Sequence, residues 1–280
     1  MPALPPLHTV HLFPVLDQHL LTLLAELTPA QWELPTLAPR WRVRDVALHL
    51  LDGNLRSLSM LRDGYFGVQP TGGSYPEIVT FLNQLNADWI TAGQRLSPQI
   101  IRWLLEVSGP AYNRYLAGLD PEAPATFAVA WAGESESANW FHIARDYTEK
   151  WHHQQQIRQA VGQPAALLTR ELYHPFLATC LRALPYHYRE VAAETGQVIA
   201  VVVTGAAGGT WYLRRTASGW ELGEAPEAAG PVAATITIEG DVAWRLFTKS
   251  LPRPLAEASI QLSGERHLGE PIFGLITVMG

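Results

Sequence analysis

The sequence predicts an all-α helical bundle followed by a smaller α+β domain. Three observations predict it. Apolar residues recur at helical spacing through the first 165 residues, the texture turns β-branched and alternating after Pro164, and Gly162-Gln163-Pro164 is a break between the two. The 280 residues are about right for two domains, here taken as 1–165 and 166–280.

The first helix is expected over 8–27, where Val10, Phe13, Leu16, Leu20, Leu23, Leu24 and Leu27 fall on one face. Thr28-Pro29 stops it, and a loop punctuated by Pro29, Pro35 and Pro39 follows. A second helix covers 43–62 with Val46, Leu50, Leu51, Leu55 and Leu58 as its stripe, and Gly64 stands where a C-terminal cap would. After the loop 70–74, Tyr75-Pro76-Glu77 opens a third helix carrying Ile78, Phe81, Leu82, Leu85, Trp89 and Ile90. Ser97-Pro98 puts proline at the first position of a fourth helix reaching about 119, with a kink expected at Gly109-Pro110. Residues 126–131 read as a short strand or an extended loop, and a long helix follows over 137–161.

In the second domain one helix is expected over 171–189. Strands follow at 198–204, 209–215 and 219–222 as a meander, then at 233–238 and 258–262. A short helix is placed at 241–249, and 271–278 is a closing apolar segment.

Charge excludes some partners. Twenty basic against 26 acidic residues give a net charge of −6, with 11 and 15 of them in the first domain and 9 and 11 in the second. Binding a nucleic-acid backbone needs a cationic face, and neither domain supplies one. Cys180 is the sole cysteine, so intrachain disulfides and thiolate cages are excluded. With Arg40 the first basic residue and no apolar run of membrane length, a cytoplasmic protein without a membrane partner is expected.

Chemistry concentrates in the long helix. Glu149 and His153 stand four apart, so they lie one above the other, and a carboxylate and an imidazole so placed can grip one metal. An ordinary pair on a solvated helix is the alternative, and His152 competes for Glu149 at the three-residue offset. The helical wheel places Glu149 and His153 at the border or the interior without deciding which. On the second helix His49 sits among Val46, Leu50 and Leu51, as a neutral core imidazole or as a third ligand. Asp45 and Asp52, one turn to either side, are candidates to orient its ring. Two histidines and a carboxylate from different helices would leave a coordination position open, as catalytic sites do.

The run Trp41-Arg42-Val43-Arg44-Asp45-Val46-Ala47-Leu48-His49-Leu50-Leu51-Asp52-Gly53 with Arg62-Asp63-Gly64 resembles the second-helix signature of the mycothiol-dependent maleylpyruvate isomerase family. Asp146-Tyr147-Thr148-Glu149-Lys150-Trp151-His152-His153-Gln154-Gln155-Gln156-Ile157-Arg158 resembles that family's last bundle helix. The resemblance implies a DinB-like bundle and a metal, normally zinc, held by His49, Glu149 and His153. Thr235-Ile236-Thr237-Ile238-Glu239-Gly240-Asp241 and Gly264…Ile276-Thr277-Val278-Met279 are similar to a sterol-carrier-like domain.

The chemistry so implied uses mycothiol or another low-molecular-weight thiol and a small-molecule substrate. A thiol of pKa about 8.5 is mostly protonated at neutral pH, and lowering that pKa by two units favours the thiolate by about 2.7 kcal/mol. Cis–trans isomerisation and S-transfer both follow from such a thiolate, and hydrolysis from a metal-activated water. An apolar-ligand carrier is the reading from a different class. Arg145, one turn from Glu149, is a candidate catalytic anchor for a carboxylate, with a helical salt bridge to Glu149 as its alternative. Arg56, one turn beyond Asp52, is open in the same way, and Arg214, Arg215 and Arg266 stay open as cations of a cleft between the domains. Cys180 reads as a packed thiol, 205–209 as a hairpin loop, and His8, His11 and His19 as residues without a role, His11 near the bundle interior.

Overall fold

The computed structural model describes residues 4–224 and 231–278. Met279, part of the closing motif, lies outside them. A 3-10 turn at Val10–Leu12 leads into α1 (Phe13–Glu26), which buries Phe13, Leu16, Leu20, Leu23 and Leu24 along one face. The proline-punctuated segment expected as loop holds a one-turn helix, α2 (Pro29–Trp32). Thr28 and Gln31 satisfy each other's backbone N–H groups there in a capping box, with proline at the first position.

Helix α3 (Val43–Ser57) starts with the Asp45 carboxylate accepting the Arg42 N–H at 2.9 Å and runs on as a π-helical turn, Leu58–Arg62. Gly64 follows at φ +69, the left-handed position that a helix end favours. Helix α4 (Tyr75–Gly93) is capped by Ser74 with Glu77 and rests half-buried against α3, the Trp89 indole donating to the Leu48 carbonyl at 2.8 Å. Helix α5 (Pro98–Ala117) begins at Ser97 and continues through Pro110. Residues 126–131 form no strand: a 3-10 turn at Ala130–Ala132 and a single bridge between Pro124 and Ala138 occupy this connection.

Helix α6 (Asn139–Ala160) is the axis of the bundle. It packs against α1, α3 and the next helix, α7 (Arg170–Leu181), and no residue along its length is exposed. A helix buried all round and yet rich in polar side chains must satisfy them internally. Lys150 shows how. Its ammonium donates to Asp17 Oδ1 of α1 at 3.0 Å and to Asn54 Oδ1 of α3 at 2.7 Å. Asn54 in turn donates to Ser108 of α5 at 3.1 Å, and Asn113 of α5 donates to Asp17 Oδ2 at 2.8 Å. Gly109 permits the approach, because a Cβ there would stand 2.7 Å from Asp17 Oδ2.

The helix expected over 171–189 is two. α7 ends at Leu181, and α8 (Leu184–His187) restarts with Pro185 in its first turn, where its missing N–H and the clash with the carbonyl four residues back are harmless. The strands are β1 (Val198–Val203), β2 (Gly209–Thr216), β3 (Gly219–Gly223), β4 (Val232–Ile238) and β5 (Ile260–Gly264), in the order β3-β2-β1-β4-β5. The first three form the expected meander, while β4 joins the other side of β1 in parallel. Helices α9 (Gly240–Phe247), α10 (Arg253–Ser259) and α11 (Arg266–Gly269) complete this half, α10 being an element the sequence reading lacks. The closing apolar segment is a 3-10 turn, Glu270–Gly274, followed by irregular chain.

One hydrophobic core spans both halves. Trp151 of α6 stacks on Tyr173 of α7 with ring centroids 4.8 Å apart, packs on Phe176 at 4.4 Å and meets Trp244 of α9 edge-on at 6.1 Å. A second cluster closes the far end of the bundle with Leu20, Trp32, Val46, Leu51, Ile101 and Ile157. No helix of the described residues is long and apolar enough to cross a membrane.

Candidate metal centre

Helix α6 carries His142, Arg145, Asp146, Glu149 and His153 at helical spacing, Asp146 meeting Tyr112 of α5 and His153 meeting His49 of α3. His153 is only 8% exposed, and its Nε2 lies 3.7 Å from Glu149 Oε2. His153 points inward while Glu149, its side chain 31% exposed, lies at the border, a choice the wheel alone left open. His49 of α3 meets them from across the bundle: its ring centroid lies 4.5 Å from that of His153, the planes at 71°. The half-buried Trp41 indole covers both imidazoles, 4.8 Å from His49 and 6.0 Å from His153.

Hydrogen bonds assign the nitrogens. His153 Nδ1 donates to Gln156 Oε1 at 2.9 Å, so the lone pair is on Nε2, the atom that faces Glu149. His152 Nδ1 also approaches Glu149 Oε2, at 3.8 Å, and Glu149, His152 and His153 bring ligand atoms within 4.8 Å of one another. That nitrogen already donates its hydrogen to the Thr148 carbonyl at 2.9 Å, however, so it has no lone pair for a metal.

Burial sets the charges. It holds the His49 and His153 imidazoles well below the usual histidine range, with each other's proximity adding to it for His49, and takes His152 down to about 4. Burial pushes the Glu149 carboxyl up to about 7, against the pull of the Arg145 guanidinium. At neutral pH the three side chains therefore present two neutral imidazoles and a carboxyl half ionised, a donor set that suits a divalent cation such as zinc.

A pH dependence follows. The histidines have no proton to lose, so uptake of a cation should release about half a proton at pH 7, close to one at pH 6 and almost none above pH 8. Affinity should fall about tenfold for each pH unit below 7 as protons compete for Glu149. Calorimetry in buffers of different ionisation heat measures the released proton directly.

The remaining candidates fall into place individually. Asp45 does not turn to His49: its two oxygens accept from the Arg42 N–H and from Gln94 Nε2 at 3.0 Å, so capping and the tie to α4 occupy it. Asp52 faces Arg56 at 3.6 Å. Arg145 pairs with Asp146 at 2.7 Å rather than with Glu149. Arg214 pairs across strands with Glu221 at 2.9 Å, and Arg266 with Glu270 at 2.7 Å on the surface. Cys180 is buried, its thiol pushed up to about 12, an unreactive group. Residues 204–208 form the β1–β2 hairpin loop, and Gly209 opens β2. His11 is exposed, not interior, and His8 is exposed with it.

Sequence reasoning missed Gln156, His142, Asp146 and Tyr112, the last because it comes from α5. On the α3 side of the centre, Asp52, Arg56, Leu85, Asp88, Trp89 and Ala92 line an open pocket of about 320 Å³ between α3 and α4. Gly53, one turn after His49, has open space where a side chain would project. A second groove, of about 570 Å³, runs along α1 past His19 and Arg158 and shares no residue with the centre.

Residues 13–158 match the family described as the mycothiol maleylpyruvate isomerase N-terminal domain. Among solved structures, the fold is similar to a crystal structure of the mycothiol-dependent maleylpyruvate isomerase, at 13% identity and a TM-score of 0.52, over 95% of this chain and 97% of that one. A histidine-to-alanine mutant of that enzyme is similar at 12% identity and a TM-score of 0.51, with the same coverage. At such identities the likeness is one of fold. No curated protein matches the chain.

Proposed function

The chain belongs to the mycothiol maleylpyruvate isomerase N-terminal domain family, and on that premise we propose that it is a metal- and thiol-dependent isomerase of small cis-unsaturated carboxylic acids. The observation that carries the proposal is that His49 from α3 packs ring to ring on His153 of α6, whose Nε2 faces Glu149, so two imidazoles and a carboxylate gather between two helices. Among metals, zinc suits that donor set, and a low-molecular-weight thiol, mycothiol or a relative of it, is the cofactor proposed.

When bound, the metal supplies the positive charge that lets a small thiol ionise near neutral pH, and a thiolate that adds to a cis double bond and leaves again permits rotation about it. The protein's own part is positional. His49, Glu149 and His153 hold the cation. Gln156 keeps the His153 hydrogen on Nδ1 and its lone pair on Nε2. Trp41 covers the imidazole rings and limits water. Arg145, one turn up the helix, offers its guanidinium to a substrate carboxylate.

The test is elemental analysis of the purified protein followed by turnover of a cis-diacid with and without thiol. About one divalent metal per chain is expected, with isomerisation that needs the thiol, stops on chelation and returns with zinc. A thioether product in place of the trans-diacid makes the protein an S-transferase. Protein that stays metal-free after incubation with zinc overturns the proposal.

A further inference from the structure

We propose that Tyr112 and Asp146 are positioning residues that aim the Arg145 guanidinium at a ligand carboxylate, a role that rests on the reading just given. Arg145 Nη2 donates to Asp146 Oδ1 at 2.7 Å and lies 3.4 Å from His142 Nδ1. The second oxygen of Asp146 accepts the Tyr112 hydroxyl from α5, and His142 Nε2 stands 3.6 Å from it. One carboxylate thus ties an arginine of α6 to a tyrosine of another helix.

Tyr112 is itself immobile. It is buried, its ring lies edge-on to Phe13 with centroids 6.2 Å apart, and the Lys150 ammonium sits 5.4 Å over its face. A flexible four-bond side chain is thereby fixed at one end of its guanidinium. The rest is not spent: Arg145 Nε is buried with no hydrogen-bond partner among the described residues. A buried guanidinium N–H without an acceptor is costly, and a carboxylate oxygen is the acceptor that matches its charge. The arrangement lies one turn from Glu149, where a diacid held at the metal centre would present its far end. Anchoring by a group locked in place loses less freedom on binding than anchoring by a mobile one.

The test uses Tyr112→Phe, which keeps the packed ring and removes only the hydroxyl. Succinate, a diacid without a double bond, serves as the probe in calorimetry on the zinc-loaded protein. Tyr112→Phe should weaken succinate about tenfold and Arg145→Ala about a hundredfold, the scale of one and of two charged hydrogen bonds. The double variant should bind no worse than Arg145→Ala alone, because Tyr112 acts through the arginine. In turnover, Tyr112→Phe should raise KM about tenfold with kcat within about twofold, at unchanged metal content. Wild-type succinate affinity in Tyr112→Phe, or a further tenfold loss in the Arg145→Ala background, overturns the proposal. Arg145- and Tyr112-dependent succinate binding without any isomerisation leaves the anchor standing and removes the reaction.

Discussion

His153→Ala is expected to lower bound metal from about one equivalent per chain to below about one tenth. Thiol-dependent turnover should fall by about a thousandfold or more, since a catalytic metal supplies several kcal/mol and each 1.4 kcal/mol is tenfold. The variant should still fold, because Trp151 and the aromatic cluster it anchors lie on another face of α6. His49→Ala should do the same from α3. Gln156→Ala should be milder, about 10- to 100-fold in metal affinity, because it releases the His153 ring without removing a donor atom. Metal analysis of the three variants beside the wild type checks the gradation. Equal metal content in all of them removes His153 and His49 from the ligand set.

Lys150→Met is expected to destabilise the fold by about 3–5 kcal/mol. Lys150 and Asp17 side chains are 12% and 15% exposed, so the ion pair is screened little by solvent. Losing the ammonium leaves Asp17 buried with Asn113 as its hydrogen-bond donor and frees the Asn54 carbonyl. For a chain of this size the melting temperature should drop by about 10 °C. Adding Asp17→Leu should recover most of the loss, because the cost lies in the charge left unpaired rather than in the pair itself. Thermal melts of the two single variants and the double variant close the cycle. A double variant as unstable as the sum of the singles would mean that Lys150 acts through packing instead.

Local signals in the sequence were enough for most helices. Leu16, Leu20 and Leu23 fall at helical spacing, Ser97-Pro98 marks a start, and Gly64 marks an end, because capping and periodicity operate over a few residues. The parallel pairing of β4 with β1 was not legible, as it joins segments about 35 residues apart and depends on how the sheet packs. Helix α10 lies in the stretch 250–257 that the sequence reading left unassigned; it is short, and Pro254 sits in its first turn, where proline is tolerated.

The candidate site divides in the same way. Glu149 and His153 are an i, i+4 pair on one helix and could be read directly, and the family resemblance brought His49 to them. The contacts that hold Arg145 were hidden, since Tyr112 comes from α5 and no spacing connects 112 with 146. Lys150 carried a weak signal that was available: in a chain with 18 arginines and 2 lysines, one of the lysines stands beside Glu149, the candidate carboxylate ligand.

The absence of any exposed position on α6 separates what can change from what cannot. Every substitution along that helix meets the sheet half, the bundle or the donor atoms, so drift there is penalised from all sides. The walls of the neighbouring pocket, by contrast, come from α3 and the half-buried α4. On the proposed isomerase reading, substrate preference would drift through α4 while the helix carrying Glu149 and His153 stays constrained.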